Sequence, residues 1–431
     1  MSTNQKKKKI RFKVKKPPIK EPSVIHTELS KSITSKLSSK EKRENGIFFT
    51  PQDIIIKMLN IIKNINITIE TVLEPSCGSC EFINSIDKHF TGLDITGVEL
   101  NDTIYNDIKD LTFNNKVNIV HSDFLTWSSI NTTKYDLIIG NPPFFVKKRS
   151  DVDKRYYKYF DGRPNIYILF IIEALNKLNE NGILAFVVPS NFTNCLYYDK
   201  LRKHIYNKFT IIDIVSCTGA KYIDTTQDTY IFIVQNIPPL SNDKFTLQLH
   251  QYSIFNTPSV IQELIKITEN STNLSELMFD VNVGNVVWNA CKDILKNEDT
   301  YTRLIYSSDI VDKKLSIKTY TDRNPAKKNY IDKEGRDGVL LVLNRGYGVG
   351  QYDFNYCIID VNYPYLIENH LICVGYMGSK ITDSELKEKY TKIVASFENE
   401  KTKKFIKLYF GNSAINTTEL KYILPIYKSE T

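Results

Sequence analysis

The segment Tyr135-Asp136-Leu137-Ile138-Ile139-Gly140-Asn141-Pro142-Pro143-Phe144 holds residue types that could do chemistry. Its apolar run reads as a buried strand, and two successive prolines end it because neither can donate a hydrogen bond to a ladder. Asn141 is thereby held on a stiff loop at the strand end. Such a loop can aim a carboxamide oxygen and the Pro142 carbonyl at one exocyclic amine, while Phe144 covers the face of a flat ring. That is a pocket for a planar base. A proline-terminated strand with a surface aromatic fits the same residues, so the context upstream has to discriminate.

The elements that must position this loop begin at Thr71-Val-Leu-Glu-Pro-Ser-Cys-Gly-Ser-Cys-Glu-Phe82. This stretch predicts a short strand, a turn built on Pro75, Ser76 and Gly78, and the start of a helix, the first unit of a βαβ fold. The next strand, Asp94 to Leu100, ends near Glu99, where an acid can accept hydrogen bonds from both hydroxyls of a ribose. A third, Val117 to His121, ends at Ser122-Asp123-Phe124, a carboxylate and a ring able to hold an adenine amine and stack on its base. A strand-end acid is also a common helix cap, and a lone glycine a common turn. Their order on consecutive strand ends is what suits a ligand at the carboxyl edge of a parallel sheet. Downstream, Asn165 to Lys177 predicts a largely buried helix, stopped by Asn181-Gly182 and too short to span a membrane. Strands Ile183 to Pro189, Ile211 to Cys217 and Thr229 to Val234 would complete the sheet.

On these residues the chain resembles the S-adenosylmethionine-dependent amino-methyltransferases, specifically the adenine-N6 DNA methyltransferases of the gamma motif order. These are the N-6 DNA methylases of type II modification systems. The family carries a Thr-Pro pair opening a helix before the sheet, and here Gly46-Ile-Phe-Phe-Thr50-Pro51 precedes the periodic run Ile54 to Ile62. The likeness covers roughly Asn45 to Asn236. It implies an α/β, Rossmann-like methyltransferase sheet, followed by a mixed α+β target-recognition domain. It implies that Thr50, Glu74, Pro75, Cys77 and Gly78 line the methionine half of S-adenosyl-L-methionine, Glu99 its ribose, and Asp123 with Phe124 its adenine. Asn141, Pro142, Pro143 and Phe144 would be catalytic, with Phe144 stacking on a flipped base. Tyr222 would close on that base from the opposite face, although a loop tyrosine packing under its own hairpin reads equally well. One residue departs from the pattern: Cys80 stands where the family usually has a further small glycine, and its side chain would crowd a close backbone approach.

Composition sets outer bounds. The 431 residues allow two or three domains, 42% hydrophobic content suffices for cores, and 57 basic against 49 acidic residues leave a formal charge of +8. That excess is compatible with a polyanionic partner. Part of it lies in Lys6-Lys-Lys-Lys-Ile-Arg-Phe-Lys-Val-Lys-Lys-Pro-Pro18, too polar to fold alone, so residues 1–44 are expected to form a disordered basic tail. A catalytic domain at 45–237 and a recognition domain at 238–431, split at Pro238-Pro239-Leu-Ser-Asn, complete the expected organisation. The seven cysteines are scattered, which argues against a disulfide framework. Cys77 and Cys80 form a Cys-x-x-Cys without a second pair, and the histidines do not cluster, so no metal is expected.

In the last third, Gly338-Val-Leu-Leu-Val-Leu-Asn-Arg345-Gly-Tyr347 predicts a strand followed by a glycine-rich turn, and Tyr363 to Ile372 a strand interrupted by polar residues. Arg345 can read guanine bidentately and Asn369 can read adenine. Lys313, Lys314, Arg323, Lys327 and Lys328 are candidate phosphate contacts. All of these also read as surface residues of an accessory β-rich domain.

The expected activity is therefore transfer of a methyl group to the N6 amine of a flipped-out adenine in double-stranded DNA. Cytosine-N4 enzymes are the close rival but more often carry Ser where Asn141 stands. An RNA-base methyltransferase, a protein-glutamine methyltransferase and a non-catalytic nucleic-acid binder that kept the fold remain open. A monomer is expected, with any cognate restriction endonuclease acting separately and no membrane partner. Absence of an apolar stretch after Met1 predicts an intracellular protein, cytoplasmic, or nuclear if the lysine run serves as an import signal.

Overall fold

The computed structural model describes residues 18–20, 22, 24–223, 227–320, 327–345, 354–410 and 415–427. The chain divides into two compact units after Ile261.

The first unit is built on a seven-stranded sheet of order β3-β2-β1-β4-β5-β7-β6. Its strands are β1 Thr71–Glu74, β2 Asp94–Glu99, β3 Lys116–His121, β4 Tyr135–Gly140, β5 Leu178–Pro189, β6 Thr210–Ser216 and β7 Thr229–Gln235. The first five run parallel, and β7 inserts antiparallel between β5 and β6. This is the Rossmann-like methyltransferase topology that the resemblance implied.

The unbroken apolar run of β4 has a simple cause. Ile138 faces one core together with Leu73, Leu184 and Phe232, while its neighbours Leu137 and Ile139 face a second core with Val72, Ile183 and Ile233. Both faces of the sheet are covered by helices, so the run Leu137 to Ile139 is apolar throughout, whereas Asp136 at the strand's start accepts from the Glu70 and Thr71 main chain. Each such side chain, once fully buried, contributes on the order of 1.5–3 kcal/mol. One face carries α3 (Gln52–Lys63), α4 (Glu81–His89) and α5 (Asp102–Ile108); the other carries α6 (Phe124–Ile130), α7 (Ile166–Asn176) and α8 (Asp199–Lys208). Helix α7 is buried along almost its whole length, as its composition predicts.

Two expectations need correction. Residues assigned to a disordered tail form helices α1 (Glu28–Lys36) and α2 (Ser39–Asn45), capped by the Thr27 and Ser38 hydroxyls, with Ser30 and Ile33 fully buried. Their polar sequence conceals only a few anchoring residues. The unit boundary also falls beyond Pro238-Pro239. The hairpin Thr246–Leu249 with Tyr252–Phe255 belongs to the first unit, where Phe245 and Phe255 join the core under α8.

The second unit is α+β. One four-stranded antiparallel sheet runs in the order Phe279–Val283, Leu371–Tyr376, Leu340–Asn344, Tyr356–Ile359. Another has the order Leu295–Lys296, Tyr330–Ile331, Thr302–Ile305, Tyr365–Ile367. Helices Asp383–Phe397, Glu400–Tyr409 and Thr417–Tyr422 follow.

Candidate active site

At the carboxyl edge of the sheet, the ends of β1 to β4 enclose a cavity of ≈ 350 Å³. Glu74, Pro75, Cys77 and Gly78 line it from the turn after β1, Glu99 from β2, Asp123 and Phe124 from the turn after β3, and Asn141 and Pro143 from the loop after β4. Thr50 lines it from the segment before α3. Because β1 to β4 run parallel, their carboxyl ends fall on one edge of the sheet, which is why residues so far apart in sequence meet here.

The turn after β1 is shaped by its backbone. Gly78 has φ +50° and its N–H donates to Glu99 Oε2 at 2.8 Å, while Asn101 N–H donates to Oε1 at 2.7 Å. Glu99 is thereby held by main-chain donors on both oxygens; burial nevertheless raises its carboxyl pKa, with those donors opposing the rise. Cys80 takes a left-handed φ of +61° at the start of α4 and is wholly buried in the core beneath the sheet. It lies outside the cavity lining. The expected crowding therefore does not reach the ligand space; the departure from glycine instead costs local backbone strain. Cys77 and Cys80 are hydrogen-bonded thiols, and that bond together with burial pushes the Cys77 thiol well above its usual range.

Glu74 is 2% exposed, and its Oε2 has no hydrogen-bond partner. Burial, then the nearby Cys80, Glu99 and Glu81, hold its carboxyl well above the usual carboxylate range. Glu81 had no signal in the sequence beyond its place in the turn, yet it organises the site's outer wall. It accepts hydrogen bonds from Thr27 Oγ1 at 2.6 Å and from Ser30 and Gln52, while Ser30 Oγ also meets Ser79 Oγ at 2.7 Å. Helix α1 is thus tied directly to the cavity turn.

The Asn141 loop is fixed from behind. Asn141 Nδ2 donates to the Phe48 carbonyl at 3.0 Å, and its own carbonyl accepts from Ser76 Oγ at 3.2 Å. That fixes which way the carboxamide points, because only the nitrogen can donate. Its Oδ1 is then buried with no partner. Gly46 ends α2 at φ +64°, and a Cβ there would stand 2.5 Å from the Phe144 nitrogen. No other residue fits under the loop.

Some expected residues lie elsewhere. Pro142 is buried behind the loop and Phe144 does not line the cavity; Phe144 packs edge-on against Tyr167 at 5.7 Å, and Phe145 lines the cavity instead. Asp123 caps α6, accepting from Thr126 N–H at 2.8 Å, while still facing the cavity. Phe124 packs on Phe170 at 4.8 Å between ring centroids. Tyr222 packs against the second core and its hydroxyl meets Thr229 Oγ1 at 2.9 Å; burial raises its pKa. In the second unit, Arg345 is exposed just past the strand Leu340–Asn344, and Asn369 sits in the turn after Tyr365–Ile367, its N–H donating to Val286 O at 2.9 Å. Lys313 pairs with Glu398 at 2.6 Å, and Lys327 lies over the rings of Trp288, Tyr306 and Tyr320. Lys314 lies in a two-residue strand and the Lys328 carbonyl accepts from the Tyr306 hydroxyl at 2.8 Å. Arg323 and Tyr347 lie outside the described residues.

The residues fit S-adenosylmethionine. An acid at the end of β2 with anchored oxygens suits a ribose diol, the Asp123-Phe124 turn suits adenine, and an unpartnered buried carboxyl at Glu74 suits a cationic amino-acid portion. Among the described residues, no group of three or more His, Cys, Asp and Glu side chains could hold a metal ion, and no helix is long and apolar enough to cross a membrane.

Comparison with known proteins agrees with this geometry. Residues 25–223 match the Eco57I restriction-modification methylase family, in line with the likeness to DNA modification methylases read in the sequence. The chain is 26% identical over 396 residues to type II methyltransferase M.CvrRI of Paramecium bursaria Chlorella virus XZ-6E, covering 91% of this chain and 96% of that protein. It is 31% identical over 216 residues to modification methylase CviBIII of Paramecium bursaria Chlorella virus NC1A, covering 49% of this chain and 55% of that protein. The chain thus spans about half the length of some of the curated relatives it matches and nearly all of another. Among solved structures, the cryo-EM structure of a DrdV–DNA complex superposes with a TM-score of 0.51 at 13% identity, over 93% of this chain and 57% of that one. That likeness concerns the fold.

Proposed function

We propose that this chain is a site-specific DNA methyltransferase that modifies the N6 amine of a flipped-out adenine. The observation that carries the reading is Asn141: a carboxamide whose nitrogen is committed to Phe48 O, leaving a buried acceptor without a partner beside the cavity. A buried acceptor left unpaired costs roughly 1–3 kcal/mol, a cost relieved when a substrate donor arrives.

The amine of adenine is a poor nucleophile, since its lone pair is delocalised into the ring. Hydrogen bonds from it to Asn141 Oδ1 and the Pro142 carbonyl favour a more tetrahedral nitrogen. S-adenosylmethionine, when bound, would supply an electrophilic methyl group, its sulfur–methyl bond giving way to leave the neutral thioether S-adenosylhomocysteine while the methylated nitrogen loses one proton to solvent. Direct in-line attack needs no covalent enzyme intermediate, which agrees with the two buried thiols of Cys77 and Cys80 being tied to each other rather than exposed. Because the amine lies inside the duplex stack, the base must leave it; Phe145 is the ring of this loop that lines the cavity, while Phe144 and Tyr222 would have to turn out of their own packing to stack on the base. The second unit, including Arg345 and Asn369, would select the sequence.

The test is incubation of the full chain with duplex DNA and labelled S-adenosylmethionine, followed by nucleoside analysis. N6-methyladenine at one sequence context is expected; N4-methylcytosine would overturn the base assignment, and label in neither would overturn the function.

A further inference from the structure

We infer that the excursion between Lys147 and Arg163 is a clamp for the phosphodiester backbone beside the flipped base, an inference that rests on the DNA reading above. The excursion leaves the catalytic loop and returns to it. Val146 and Asn165 form an antiparallel bridge, Lys147 N–H donates to Pro164 O at 2.9 Å, and Ile166 N–H donates to Phe145 O at 2.9 Å. Its base is therefore fastened directly to Phe145, which lines the cavity.

Within residues 147–163 there are seven Lys and Arg against three Asp, a net of +4 in a chain whose total is +8. Most of these cations are not consumed by ion pairs. Arg155 pairs inward with Asp153 and Glu173, and Asp161 is taken by Lys200 from α8. Lys148, Lys154, Lys158 and Arg163 are exposed, and among the described residues none of them is in an ion pair.

The cations also stand on a rigid platform rather than a loose loop. Val152, Tyr156 and Phe160 are buried in the core beneath α7, and two short turns of 3₁₀-helix, Arg149–Asp151 and Lys154–Tyr159, present the charges outward. Arg149 lies over Tyr157 at 4.3 Å and donates to Gly162 O at 3.3 Å, while the Tyr157 hydroxyl donates back to Arg149 O at 2.6 Å. Val146, 60% exposed where the excursion leaves the site, adds an apolar surface between the cavity and the cations. A pre-ordered surplus of cations next to a pocket for one base matches a polyanion whose charges flank that base on both sides.

Binding of the full chain to a mixed-sequence DNA duplex over a series of salt concentrations tests this. In the triple variant Lys148→Gln, Lys154→Gln, Lys158→Gln, the slope of log affinity against log salt should fall by roughly 1 for each lysine that meets a phosphate. A control of equal charge uses Lys88→Gln, Lys109→Gln and Lys134→Gln; these exposed lysines lie where α4 and α5 end and before β4 begins, at the opposite edge of the sheet. The control should keep the wild-type slope, and both variants should keep wild-type S-adenosylmethionine affinity and thermal midpoint. A slope unchanged in the triple variant, or reduced equally in the control, overturns the clamp while methyl transfer by the wild type leaves the function standing. A wild type that neither binds nor methylates DNA overturns both.

Discussion

Both units bury carboxyl groups whose pKa values rise, but the groups are used differently. In the first, Glu74 keeps an oxygen without a partner at the wall of a cavity, and Glu99 presents a carboxylate steadied by two main-chain donors. In the second, Glu419 closes a capping box with Asn416 at the start of the helix Thr417–Tyr422, and Asp309 accepts from the Tyr306 and Lys318 main chain. Burial raises all four. A raised carboxyl pKa alone thus does not mark a reaction site; what sets Glu74 apart from the two carboxyls of the second unit is an oxygen without a partner on a residue that lines a cavity.

The largest expected effect tests the most pointed such acceptor. Asn141→Ala removes Oδ1 from the reacting centre and should lower kcat by about 10²–10³-fold, the loss typical of deleting one positioned donor or acceptor. Calorimetric affinity for S-adenosylmethionine should hardly change, because the residues proposed to hold it lie on other strand ends. Near-normal turnover would mean that the orphaned oxygen is incidental and the contrast between the units is lost.

Glu419 tests the opposite side of the comparison, a raised carboxyl with no reaction to perform. Its pKa is pushed up to about 7 from 4.5 by burial, so between those values the folded protein holds a proton that the unfolded chain has lost. Its stabilising contribution is complete below 4.5 and is lost as pH rises through about 7. The change is about 3 kcal/mol at most. Denaturant unfolding of the full chain at pH 5 and pH 8 should show this loss, Glu419→Gln should remove it, and methyl transfer at a fixed pH should be unaffected. A variant with the wild-type pH dependence would place the titrating group elsewhere.

Glu99 belongs to the first unit and should behave as a ligand group. Glu99→Ala should weaken S-adenosylmethionine binding by roughly 1–3 kcal/mol, the range for losing charge-assisted hydrogen bonds. The variant also leaves Gly78 N–H and Asn101 N–H without their acceptor, so the thermal midpoint of the unliganded protein must be measured beside it. An equal loss in both would reduce Glu99 to a brace for the glycine turn.

Legibility in the sequence divides along the same line. The strands of the first unit were readable because a sheet covered on both faces leaves near-continuous apolar runs, and strand-end motifs such as Asn141-Pro142-Pro143 punctuate them. What could not be read there depends on distant packing: Gly46 under Phe144, the bond from Asn141 to Phe48, and the ties from α1 to Glu81 join segments with no pattern in common. Helices α1 and α2 were missed because their short polar sequences bury only a few residues. In the second unit, strands of two to six residues carry too few periods to identify, and the glycine-rich turn after Arg345 lies outside the described residues.

The smallest expected effect concerns that turn. Arg345 is exposed at the end of the strand Leu340–Asn344, and among the described residues its guanidinium has no ion pair to break before it meets a base edge. If the second unit reads sequence, Arg345→Ala should weaken binding to the methylated site by about 1 kcal/mol, the lower end for one base contact, and leave mixed-sequence duplex nearly untouched. Competition at two salt concentrations separates the outcomes, since a phosphate contact would weaken every sequence alike and lower the salt slope by roughly 1. A uniform loss would make Arg345 part of the general polyanion surface and move base reading to Asn369 or beyond. No loss at all would leave the second unit without an identified reader and reduce its difference from the first to one of architecture.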